Sequence, residues 1–135
     1  MIGLDTNVLV RYLAQDDAKQ SAIATRFIES ELSATQPGFI SLVVLVEVCW
    51  VLQRLYAATS SECTGTVEDL LGSAQFVVEQ RHVVQAAAQQ MRSHPKGQVG
   101  FTDVLIVEIG KAQGCAQTVS FDKGAVRSAG MTLLT

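Results

Sequence analysis

Four carboxylates stand out in the 135-residue chain because each interrupts an apolar stretch: Asp5, Glu47, Asp103 and Asp122. Asp5 is the sole charge in Met-Ile-Gly-Leu-Asp-Thr-Asn-Val-Leu-Val, and Glu47 lies within residues 39–52, the most apolar run of the chain. A carboxylate taken out of water is costly unless it is paired, hydrogen-bonded or bound to a cation, so four such interruptions point to one shared divalent-metal site. Hard cations such as Mg²⁺ or Mn²⁺ take oxygen ligands and keep positions open for water and phosphate. The chemistry expected of such a set is metal-assisted phosphodiester hydrolysis, with an acidified water and steadied phosphoryl charge. Zinc is not indicated: His82 and His94 lack ligand spacing, and neither adjoins a cysteine in sequence.

Each acid taken alone has an ordinary explanation. Asp5 fits a helix start, Asp103 a first helical turn, Asp122 a turn, and Glu47 a partner for some arginine. Only jointly do they favour a metal. Asp16, Asp17, Glu29, Glu31, Glu62, Glu68, Asp69 and Glu79 lie in polar surroundings and are expected to be solvated, whereas Glu108 points away from the face of Asp103.

The elements that must position these residues alternate along the chain. Residues 2–4 read as a short buried strand, and Thr6 as the cap of a helix through Val8, Leu9, Tyr12 and Leu13. Asp17 opens a second helix with Ala22, Ile23, Phe27, Ile28 and Leu32 as its apolar face; residues 35–38 are turn chemistry. A strand at 39–40 leads into a long helix from Ser41 to about Tyr56, and a further helix spans 60–71. A third strand covers 76–78 and a helix 83–91. The polar stretch 92–97 is broken by Pro95 and Gly97, and a helix over 102–112 stops at Gly114. A strand at 119–121, a short helix after Asp122 and a last strand at 131–134 complete the series. This alternation predicts a single α/β domain over 1–135, with a central parallel sheet and helices on both faces. In such a sheet ligands sit beyond the carboxyl ends of the strands, where Asp5 and Asp122 fall. Glu47 shares a helical face with Val43, Val44, Trp50 and Val51, which predicts that it points to the core side.

The chain is long enough to bury a core without disulfides, and Cys49, Cys63 and Cys115 are too scattered for a disulfide framework, so buried or semi-buried thiols in a reducing compartment are expected. The amino-terminal residues lack the basic and apolar regions of a signal peptide, and residues 39–52 are too short to span a bilayer and carry Glu47. A soluble cytoplasmic protein with no membrane association is the expectation. The net charge of -3 argues against a nucleic-acid partner at first sight. Setting the four acids aside as metal ligands leaves nine acidic residues against ten basic ones, so RNA is not excluded.

The opening Leu4-Asp5-Thr6-Asn7-Val8-Leu9-Val10-Arg11-Tyr12-Leu13, followed by Gln15-Asp16-Asp17, resembles the start of PIN-domain proteins, especially the VapC-type toxins of bacterial toxin–antitoxin pairs. The resemblance continues, in the family's order, through residues 39–52, through Phe101-Thr102-Asp103-Val104-Leu105-Ile106 and through Thr118-Val119-Ser120-Phe121-Asp122. It implies a PIN-like fold and a Mg²⁺- or Mn²⁺-dependent endoribonuclease, held inactive by a cognate antitoxin and often a homodimer. Asp5, Glu47 and Asp103 match the family's principal metal-binding acids, and Asp122 the fourth, more variable one; these four are the candidate catalytic residues. Many relatives carry another Asp three residues before the position of Asp103, where this chain has Gly100. Thr6 and Asn7 also match, as residues that would orient Asp5 or a bound water, and Thr118 and Ser120 place hydroxyls near the site.

Arg11 and Lys123 are the basic residues chosen for RNA contact, ahead of Arg92, Lys96 and Arg127, and no aromatic stacking platform is evident. Two other classes remain open. A haloacid-dehalogenase-like phosphatase would want an Asp where this chain has Asn7. A nonenzymatic interaction module would keep the acids to grip a basic partner segment, and Gly100 favours it.

Overall fold

The computed structural model describes residues 1–94 and 100–135. The chain runs β1 (Ile2–Gly3), α1 (Thr6–Ala14), α2 (Ala18–Arg26), a π-helical turn (Phe27–Glu31), β2 (Gly38–Ile40), α3 (Leu42–Tyr56), α4 (Ser60–Gly72), β3 (Phe76–Val78), α5 (Arg81–Ser93), α6 (Phe101–Ala112), β4 (Val119–Ser120), α7 (Lys123–Ala129) and β5 (Thr132–Leu133). The α/β alternation expected from the sequence is present. Its strands form two parallel groups, β1-β2-β3 and β4-β5, where one central sheet was expected. The second group is short and exposed, and it rests on a small cluster of Val107, Ala125 and Met131.

Local chemistry sets the helix starts. Asp17 accepts the amide of Gln20 at 2.8 Å, as its position before α2 predicts. Ser41 does the same for Val44 at 3.2 Å, and Thr59 and Glu62 form a reciprocal capping box on α4. Thr6 is not the cap expected of it. It is the first residue of α1, only 6% exposed, and Asp5 occupies the cap position. The large core joins Leu9, Ile28, Ile40, Leu45, Val84 and Leu105 from six elements.

Two helices present different faces from those expected. Ser21 and Ala24 are the buried positions of α2, while Ala22 is exposed and Ile23 is half exposed. Small side chains suit the close packing of α2 on α1, and the π-helical turn then shifts the phase so that Ile28 and Leu32 still reach the core. In α3 the buried stripe is Leu45, Val48, Cys49 and Leu52. Glu47 therefore faces solvent with Val43 and Trp50, which are 78% and 57% exposed, rather than the core. The helix is apolar nearly all round, so periodicity alone could not say which stripe is inside.

The register of the larger sheet fixes what stands at its carboxyl edge. Gly3 lies opposite Phe39, and Ile40 opposite Val78. The Leu4 amide donates to the Phe39 carbonyl at 3.0 Å and the Glu79 amide to the Ile40 carbonyl at 2.9 Å. Continued past the strand ends, this register sets Asp5, Ser41 and Glu79 in one row. No helix among the described residues is long and apolar enough to cross a membrane.

Candidate metal centre

Asp5 follows β1 and precedes α1 in extended backbone, φ -84° and ψ 159°. Aspartate there ordinarily accepts an amide from the first helical turn, yet its side chain makes no such bond, and the carboxylate is exposed. Only its carbonyl serves the helix, accepting the Val8 amide at 3.2 Å.

Glu47 stands in the middle of α3 on the wall of a shallow cavity of about 650 Å³, which it shares with Val43, Val46, Trp50 and Thr102. Thr102 belongs to the first turn of α6, and its neighbour Asp103 is half-buried where the helix dipole favours a negative charge. Gly100 is the N-cap of α6 and offers no side chain to it. A Cβ built on Gly100 would stand 3.7 Å from Asp103 Oδ2, an ordinary contact distance that leaves room for a side chain. The helices α1 and α6 both pack on α3, so Asp5, Glu47 and Asp103 are carried by one packed unit.

Asp122 is differently engaged. It follows β4, is exposed, and its Oδ1 caps α7 by accepting the amides of Gly124 at 2.8 Å and Ala125 at 3.4 Å. Ser120 Oγ accepts the Asp122 amide at 2.9 Å and so shapes that turn, and Thr118 is half-buried against Gly110. Asn7 is exposed in α1 and borders an apolar cavity of about 500 Å³ between β1, α1 and α2.

No three His, Cys, Asp or Glu side chains among the described residues lie close enough together to enclose an ion. The donor chemistry suits a hard cation, since the site offers carboxylate oxygens and among the described residues those of Asp5, Glu47 and Asp103 form no ion pair. The fit is thus one of donor type, without a closed coordination shell among the described residues.

Two of the basic candidates, Arg11 and Arg92, are already paired. Arg11 Nη1 pairs with Asp16 Oδ1 at 3.0 Å and its Nε donates to Gln20 at 2.8 Å, and the Asp16 bond raises the guanidinium pKa further. Asp16 also accepts from the Tyr56 hydroxyl; that bond, helped by Arg11, holds its carboxyl below the usual range. Asp16 is thus tied into a network, not simply solvated. Arg92 is held by Glu68 at 2.7 Å and by Ser61. Lys123 and Arg127 are exposed on α7, and Lys96, with Pro95 and Gly97, lies outside the described residues. Burial pushes the Cys49 thiol up to about 12 and that of Cys63 upward, whereas Cys115 is exposed rather than buried.

One residue of the sheet edge escaped the sequence reading. Glu79, expected to be solvated, is half-buried and accepts the Leu42 amide at 2.8 Å, thereby capping α3 from the next strand. Its long-range role left no local signal beyond its position directly after a strand.

The PIN-domain family model matches residues 2–130 of the chain. The chain belongs to the PIN-domain family. PIN domains are typically metal-dependent nucleases acting on RNA or DNA, and they often pair with antitoxins. Among curated proteins no sequence matches the chain significantly. Membership in the PIN family sets aside the haloacid-dehalogenase-like phosphatase, and Asn7 accordingly occupies the place where that chemistry would need a second Asp.

Proposed function

We propose that this PIN domain is a Mg²⁺- or Mn²⁺-dependent endoribonuclease of the VapC type, the toxin of a toxin–antitoxin pair acting in the cytoplasm. The observation that carries this reading is the carboxylate of Asp5, held at a helix N-cap without capping the helix. Asp5, Glu47 and Asp103 would hold the cation through their oxygens. Asp122 keeps Oδ2 beyond its capping duty, enough for one contact to a second cation or to the attacking water. When bound, the cation supplies an acidified water and stabilises charge on the phosphoryl oxygens. Around it the chain orients its own groups: Asp5 is set by its place at the head of α1 beside Thr6, the α6 dipole favours charged Asp103, and Ser120, two residues beyond Thr118, shapes the turn that presents Asp122. Asn7 and Lys123 flank the acids, and Lys123 is the better-placed phosphate contact because Asp16 already pairs with Arg11.

Two surfaces support the expected partners. The exposed Val43, Trp50, Leu55 and Ile106 on α3 and α6 suit a homodimer contact. The apolar cavity bordered by Leu4 and Asn7, the neighbours of Asp5, suits an antitoxin segment whose Arg or Lys could then reach the acids. A nonenzymatic interaction module is the second reading, favoured by Gly100 and by the missing three-acid cluster among the described residues.

The test is cleavage of a pool of structured cellular RNAs by antitoxin-free protein, with Mg²⁺, Mn²⁺ or chelator. Metal-dependent cutting that Asp5→Asn lowers by about 10²-fold or more is expected. Absence of cutting under every condition, with partner binding retained, would establish the interaction module instead.

A further inference from the structure

We propose that Glu79 is a positioning residue for the acidic site, an inference that rests on the nuclease reading above. Glu79 directly follows β3, in the row that register sets beside Ser41 and Asp5. Its amide donates to the Ile40 carbonyl at 2.9 Å, which fastens its backbone to the end of β2. Its side chain then reaches α3, where Oε1 accepts the Leu42 amide at 2.8 Å. That amide opens the helix and has no carbonyl within it to bond.

The two caps of α3 differ in what they fix. Ser41 Oγ takes the Val44 amide at 3.2 Å, a bond between neighbours that travels with the helix. The Glu79 bond joins residues 37 positions apart and ties the first turn of α3 to a different strand. Glu47 lies five residues beyond Leu42, little more than one turn at about 3.6 residues per turn. The anchor that fixes where α3 begins therefore fixes where the Glu47 carboxylate stands relative to Asp5. A half-buried carboxylate with a helix amide as its partner is suited to that task, and its charge complements the positive end of α3.

The test compares wild type, Glu79→Ala, Glu79→Gln and Leu42→Pro as full chains, by Mn²⁺ affinity, by kcat and KM on RNA, and by thermal melting. Glutamine keeps an oxygen acceptor of the same reach. Proline deletes the donor amide at a position where helices accept it, and the extended Ser41 before it suits a following proline. Glu79→Ala and Leu42→Pro should each weaken Mn²⁺ binding by about 10-fold and lower kcat similarly with KM unchanged, while Glu79→Gln stays within about 3-fold of wild type. A lowered melting temperature with Mn²⁺ affinity and kcat intact would reduce Glu79 to a cap and overturn the inference. Equal losses in Glu79→Gln and Glu79→Ala would also overturn it, since the hydrogen bond would then not be what matters. A wild type that neither binds Mn²⁺ nor cuts RNA would sink the nuclease reading itself, an outcome distinct from both.

Discussion

Aspartate occupies the N-cap position of α1, α2 and α7, with extended backbone at each. Asp17 and Asp122 accept amides from their helices, but the side chain of Asp5 does not. Forgoing a cap gives up about 1 kcal/mol of helix stability, so a carboxylate kept off the helix points to another use. The four acids were legible in the sequence because charges are rare in apolar stretches. Their exposure was not: Asp5, Glu47 and Asp122 lie at the rim, where a strand's apolar run ends in water or where a helix turns its apolar side outward. A second residue-scale consequence concerns acid. Tyr56 and Arg11 hold the Asp16 carboxyl below its ordinary range, so the stability it contributes is present above about pH 4 and is lost as pH falls through the lowered value. Melting of wild type and Tyr56→Phe followed from about pH 6 to about pH 2 should show a gap that narrows toward the acid end. A gap constant across that range would contradict the assignment.

At the scale of elements, α3 shows what a sequence does and does not specify. Its start at Ser41 and its end near Tyr56 follow from a serine cap and a long apolar run. Its orientation does not, because Val43, Val46 and Trp50 on one side are as apolar as Leu45, Val48 and Leu52 on the other, and only packing against α1, α4 and α6 chooses between them. The helix ends at Ala57 in the left-handed region, φ 54° and ψ 29°, with its amide bonded to the Leu52 carbonyl. A side chain in that conformation is strained by about 1–2 kcal/mol, and glycine is not. Ala57 is exposed, so Ala57→Gly removes no packing and should raise the melting temperature, by roughly 1 kcal/mol of stability in a denaturant titration. An unchanged or lowered stability would argue against the left-handed cap.

Across the whole molecule, the order of strands and helices and the placing of acids after strands could be read in advance, since both depend on local periodicity and turn chemistry. The division of the strands into two groups could not, nor could the bond from Glu79 to Leu42, because both depend on contacts between distant segments. The carboxylate spared from capping at Asp5 is the group proposed to bind a divalent cation, and the nuclease activity depends on it. Calorimetric titration of Mn²⁺ into wild type, Asp5→Asn and Asp17→Asn tests this role directly. Saturable binding in wild type and Asp17→Asn, lost or weakened by about 10-fold or more in Asp5→Asn with the fold intact, is the predicted result. Equal Mn²⁺ binding by Asp5→Asn and wild type would contradict it, and so would no binding by any of the three.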